Sequence, residues 1–67
     1  MVKTNRRFAL HMKPGCGPTA EGLLVKRTRR EFVLIDARLV EAEDRTHDIA
    51  GPVVFLRENI YCLQEIR

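Results

Sequence analysis

Few side chains in this sequence are suited to chemistry, and they are widely spaced. The chain contains no serine, so a serine nucleophile is excluded outright. Its histidines, His11 and His47, and its cysteines, Cys16 and Cys62, are scattered along 67 residues. Structural zinc sites draw on close pairs of the C-x-x-C kind, and none occurs here. Cys16 lies between Gly15 and Gly17 and reads as a turn residue, with no base placed beside it. Asp36 is the one carboxylate of interest, set in the apolar run Phe32-Val-Leu-Ile-Asp-Ala37. A carboxylate there either titrates anomalously or accepts a hydrogen bond from a bulge or loop amide, and the second is commoner. The expectation is a chain with no catalytic residue, no metal site and no cofactor.

Charge is the second chemical resource. Twelve Lys and Arg stand against nine Asp and Glu, a net charge of +3. The signs are separated along the chain. Lys3, Arg6 and Arg7 form one basic group and Lys26, Arg27, Arg29 and Arg30 another, while Glu41, Glu43, Asp44 and Asp48 are acidic. Such a surface suits docking to an acidic partner, to another copy, or to phosphates. Lys26, Arg27, Arg29, Arg30 and Arg57 are the candidate contacts. Single-stranded nucleic acid also asks for exposed aromatic rings on which bases stack. The chain offers only Phe8, Phe32, Phe55 and Tyr61, and the three phenylalanines occupy core-like positions. Protein docking is therefore favoured over nucleic-acid binding.

The elements that must position these groups read as strands. In Arg7–Lys13, Phe8, Leu10 and Met12 alternate with Arg7, Ala9, His11 and Lys13. Pro14-Gly-Cys-Gly-Pro18 stops that strand, and it lacks the Gly-Lys-Ser/Thr ending of a phosphate loop. A second strand covers 21–28, with Leu23, Val25 and Arg27 on one face and Leu24, Lys26 and Thr28 on the other. Arg29-Arg30 is the turn; two arginines suit a tight hairpin poorly, so a wide or strongly twisted connection is expected. The third strand covers 31–41, with Phe32 and Leu34 opposed to Val33, Ile35, Ala37 and Leu39. Arg38–Asp44 contains good helix formers, but Phe32-Val-Leu-Ile35 prefers strand and lacks an N-cap. A bent strand with a bulge near Asp36 is the favoured reading. Residues 43–51 are the longest polar connection. Strands at 52–56 and 60–66 close the chain around the polar triplet Arg57-Glu58-Asn59, read as one 3₁₀ turn. In the first, Val53 and Phe55 oppose Val54 and Leu56; in the second, Ile60, Cys62 and Gln64 oppose Tyr61, Leu63 and Glu65.

These segments predict an all-β chain, a small, strongly bent five-stranded antiparallel barrel formed by residues 1–67 as one domain. A chain this short buries only about 60% of its unfolded surface, so it leans on disulfides, metals or association. Two cysteines are too few for a disulfide framework, and Cys62 is expected to pack as a small hydrophobe. No apolar run approaches a membrane span, and Phe8-Ala-Leu10 is too short for a signal-peptide core; cytoplasmic synthesis without membrane contact is expected. That leaves association. The last two strands carry apolar residues on both faces, and an open barrel exposes strand edges that recruit further strands. Val53, Phe55, Leu56, Ile60, Tyr61 and Leu63 are the candidate assembly edge.

Parts of the chain resemble a known family. Glu21-Gly-Leu-Leu together with Phe32-Val-Leu-Ile-Asp-Ala37 resembles the first Sm motif. There a glycine opens the second strand, and an apolar triplet with acidic and small residues runs through the third. Leu56-Arg57-Glu-Asn-Ile60 with Ile66 resembles the second motif, and the likeness covers about residues 21–66. The resemblance implies an Sm-like small barrel that forms rings and binds RNA. Two departures weigh on the RNA. The positions of the family's uridine-binding Asp, aromatic or apolar residue and Asn hold Arg27, Arg30 and Glu31, and the glycine expected after Arg57 is Glu58. Only Arg57 carries over. The family's initial helix is also absent from the reading, which begins directly with a strand. Glu21-Gly-Leu-Leu-Val-Lys-Arg27 and Arg57-Glu-Asn-Ile60 also resemble small proteins encoded among the structural genes of actinobacterial tailed phages. That likeness implies a virion part, on the capsid shell or near the head–tail junction. The expected function is a non-enzymatic assembly module that docks through strand edges and charged loops to other copies or larger virion subunits. The alternatives are an Sm-like RNA-binding ring and an adaptor that binds a peptide by strand addition.

Overall fold

In the computed structural model, which describes residues 6–66, the chain forms six strands, all but β4 built on apolar residues: β1 Arg7–Met12, β2 Thr19–Arg27, β3 Glu31–Ala42, β4 Arg45–Ile49, β5 Val53–Leu56 and β6 Ile60–Ile66. A single 3₁₀ turn, Arg57–Asn59, joins the last two as the polar triplet predicted. Lys3 and the other residues before Arg6 lie outside the described residues. All pairings are antiparallel. The sheet runs β4-β3-β2-β1-β6, and β5 pairs with β3 on the same side as β4. No ladder joins β4 or β5 to β6 among the described residues, so the sheet is not closed on itself.

The strand count differs from expectation in one place. Residues 45–49, read as part of a polar connection, pair with β3 from Ala37↔Ile49 to Ala42↔Arg45. Four of these five residues are exposed, so no apolar alternation marks them as a strand. In register, β4 and β5 are two parts of one strand running beside β3, interrupted at Ala50-Gly51-Pro52. Gly51 adopts φ 79, a conformation glycine takes without steric cost, and Pro52 follows it.

Three irregularities decide which side chains reach the core. The β2–β3 register slips between Glu21↔Arg38 and Leu23↔Ile35, and Asp36 sits there with φ 50. This is the bulge expected near Asp36, and its extra residue reverses the facing of everything beyond it. Ala37 and Leu39 thereby join Phe32 and Leu34 in the core, against the simple alternation read in sequence. A second slip at Val25 leaves that side chain 41% exposed. The third falls between His11↔Cys62 and Met12↔Ile60; Tyr61 is the extra residue, so Ile60 and Leu63 both face inward. Cys62 is exposed rather than packed, and so is Cys16; both are free thiols.

The centre of the core is Leu10, Ala20, Phe32, Leu34 and Ala37. Met12, Leu24, Leu39, Val53, Phe55, Ile60 and Leu63 pack around it. Side chains from all strands but β4 share this one cluster, which requires the sheet to bend strongly about it. Gly22 makes the bend possible. A Cβ there would lie 3.0 Å from the Ala37 Cα and 3.0 Å from the Ile35 carbonyl oxygen, both backbone atoms of the bulged strand. Gly22 lies inside β2 rather than at its start, because the strand begins two residues earlier than expected.

Candidate functional site

The turn between β2 and β3 carries the densest positive charge, and a threonine builds it. Thr28 Oγ1 accepts hydrogen bonds from the backbone N–H groups of Arg30 (3.2 Å) and Glu31 (3.0 Å). The Thr28 N–H donates to the Glu31 carbonyl at 2.8 Å. This side-chain-assisted turn explains how Arg29-Arg30 reverses the chain tightly, where a wide or strongly twisted connection was expected. Neither arginine needs a positive φ.

With its hydroxyl occupying the Glu31 amide, the Thr28 carbonyl is left for another donor. Arg57 Nη1 supplies it at 2.9 Å, and the Arg57 backbone N–H donates to the Arg30 carbonyl at 2.8 Å. The Arg57 guanidinium also lies over the Phe32 ring, 4.8 Å from its centroid. Arg57 thus fastens the 3₁₀ turn to the β2–β3 turn. Arg29, Arg30, Leu56, Arg57 and Glu58 line a cleft of about 370 Å³ beside this joint. Lys26, Arg27, Arg29 and Arg30 are exposed, and none takes part in an ion pair among the described residues. Of the five candidate cationic contacts, four are therefore unpaired, while Arg57, also exposed, spends its Nη1 on the Thr28 carbonyl.

The candidate assembly edge divides in the same manner. Val53, Phe55, Ile60 and Leu63 turn into the core, so they offer a neighbour backbone rather than side chain. Leu56 and Tyr61 are outward, 45% and 74% exposed, and Val54 beside them is 53% exposed. In sequence Val54 was set only on the face shared with Leu56, opposite Val53 and Phe55; its exposure is what adds it. An apolar groove of about 380 Å³ adjoins this strip, lined by Met12, Cys16, Leu39, Val54, Phe55 and Leu56.

The remaining candidates do not converge. His11 Nε2 lies 2.9 Å from Gln64 Oε1, whereas His47 meets Glu41 at 3.3 Å on the opposite part of the sheet. Cys16 Sγ approaches Asn59 Oδ1 at 3.8 Å. Among the described residues no three His, Cys, Asp or Glu side chains gather as a metal site. Asp36 is exposed and its carboxylate makes no hydrogen bond among the described residues. It serves the bulge through its backbone conformation instead of accepting the amide bond expected of it. No described helix is long and apolar enough to cross a membrane. Comparisons with protein-family models, with curated proteins and with solved structures return no match.

Proposed function

We propose that this chain is a non-enzymatic assembly module that docks, through its strand edges, to other copies of itself. The observation that carries this reading is the open order of the sheet. β6 at one end, and β4 with β5 at the other, each have one edge without a ladder partner among the described residues. Such edges present unpaired backbone donors and acceptors to another strand. The exposed Val54, Leu56 and Tyr61 add apolar area beside them. A bent sheet with a 3₁₀ turn before its last strand supports an open, Sm-like barrel as the architecture. Pairing between copies would complete that barrel's edges and add burial to a small core. The likeness to small tailed-phage proteins makes a virion the proposed setting, with larger virion subunits as further partners.

The RNA-binding ring draws on the basic cleft at Arg29 and Arg30. It is the weaker reading, because the one arginine that matches the family's RNA site donates to Thr28 and covers Phe32. Sedimentation equilibrium tests the assembly reading. The parent chain self-associates, and Val54→Lys with Leu56→Lys shifts it to monomer while leaving the circular dichroism spectrum unchanged. A parent chain that stays monomeric at high concentration removes the support for edge-driven assembly. Single-stranded RNA binding with a steep salt slope, abolished by Arg29→Glu with Arg30→Glu, would replace it with the RNA reading.

A further inference from the structure

Two features at opposite ends of β3 are not used by edge pairing. At its start lies the concave basic cleft, where Arg29, Arg30 and Arg57 outnumber Glu58. At its end, β3 and β4 form a hairpin arm whose last pair, Ala42↔Arg45, lies past the final β2 pairing, Thr19↔Val40. The arm turns at Glu43-Asp44, between the paired residues Ala42 and Arg45. Every residue from Glu43 to Asp48 is exposed, and among the described residues β4 pairs with no strand but β3.

The arm's charge identifies the partner. Glu41 is engaged within the arm by Arg45 at 3.7 Å and His47 at 3.3 Å. Glu43, Asp44 and Asp48 have no ion-pair partner among the described residues. A convex acidic tip and a concave basic cleft thus lie at opposite ends of the longest strand. They belong to one chain and cannot meet within it without unfolding the sheet. The molecule is 38 Å in its longest dimension.

We propose that the Glu43–Asp44 tip of the β3–β4 arm docks in the Arg29–Arg30 cleft of a second copy. The inference rests on the reading of this chain as a self-assembling module and assigns that assembly a specific pair of contacting surfaces. Leu56, 45% exposed in the cleft wall, provides an apolar floor next to the charges. The contact pairs unlike surfaces, so two copies can make it once, head to tail, or twice, reciprocally about a two-fold axis.

Charge reversal tests it with the full chain. Arg29→Glu with Arg30→Glu makes both ends acidic; Glu43→Lys with Asp44→Lys makes both ends basic. Each variant alone associates more weakly than the parent, by about tenfold, since each exposed pair is worth at most about fivefold. An equimolar mixture of the two variants restores association, and raising salt from about 50 mM to about 500 mM weakens it again by shortening the screening length. Variants that associate as well alone as the parent overturn the proposal, and so does a mixture that gains nothing. The two readings fail separately. Val54→Lys alone is the edge probe here, since Leu56 lines the cleft; if it abolishes assembly while the charge variants assemble normally, edge docking stands and the tip contact falls. If the edge variant still assembles and the charge variants do not, the tip contact stands alone. RNA capture by the parent with no rescue in the mixture assigns the cleft to nucleic acid and overturns the proposal.

Discussion

Replacing Gly22 with alanine probes the tightest backbone approach in the sheet. Gly22 faces the bulge at Asp36, where an added Cβ meets the Ala37 Cα and the Ile35 carbonyl oxygen at 3.0 Å each. Two opposing effects set the outcome. Alanine narrows the unfolded ensemble and favours strand, a gain of about 0.5–1 kcal/mol. Overpacking against backbone that cannot rotate away costs about 1–3 kcal/mol. The clash wins, for a net loss of about 1–2 kcal/mol. A domain this size has a total stability of roughly 3–10 kcal/mol, so the loss is a substantial share. At about 4–8 °C per kcal/mol, the melting temperature falls by about 5–15 °C. Thermal unfolding followed by circular dichroism measures it, with urea midpoints as a check. The nearest side-chain atom, the Ala37 Cβ at 3.3 Å, is not what limits the space. Ala37→Gly combined with Gly22→Ala therefore gives no rescue. A melting temperature at or above the parent's, or full rescue by Ala37→Gly, would refute the close approach.

Other substitutions test the devices around it. Asp36→Val places a β-branched residue at φ 50 and costs about 1–2 kcal/mol, whereas Asp36→Gly holds or raises stability; urea denaturation separates the two. Thr28→Val removes the acceptor for two amides and costs about 1 kcal/mol. Combined with Arg57→Ala, its effect is less than additive by about 0.5 kcal/mol or more, because both act on one joint; additive losses in a double-mutant cycle would show that the joint is not shared. The edge and charge-reversal variants above complete the set, with the monomer fraction in sedimentation as the readout.

What the sequence revealed, and what it hid, follows from how each element is buried. Leu10 and Met12, Phe32 and Leu34, and Val53 and Phe55 alternate because one face of each strand meets the core, and that period is plain in the chain. The Asp36 bulge was legible as a polar residue breaking an apolar run. Its effect on parity was not, and Ala37 and Leu39 were placed on the wrong face. The slip at Tyr61 hid Leu63 and Cys62 for the same reason, since one extra residue reverses every later side chain. β4 escaped notice because it buries almost nothing, so its strand character rests on backbone bonds to β3 alone. At the candidate site, the cluster of arginines was visible. The commitment of Arg57 to Thr28 and Phe32 was not, because those three are brought together only by tertiary contact.

The pairing of β1 with β6 has a consequence for how the chain reaches this state. Arg7 stands opposite Ile66, so the first strand waits for the last before its second ladder can form. While the chain is being synthesised, β2 and β3 can already form, yet β1 keeps an open edge until Ile60–Ile66 has emerged. Arg57, which locks the β2–β3 turn, arrives at the same late moment. The sheet is therefore finished only after nearly all of these residues have been made, with long-range contacts last and an exposed edge meanwhile. Neighbouring nascent chains, each with that edge uncovered, would compete with β6 for the same ladder.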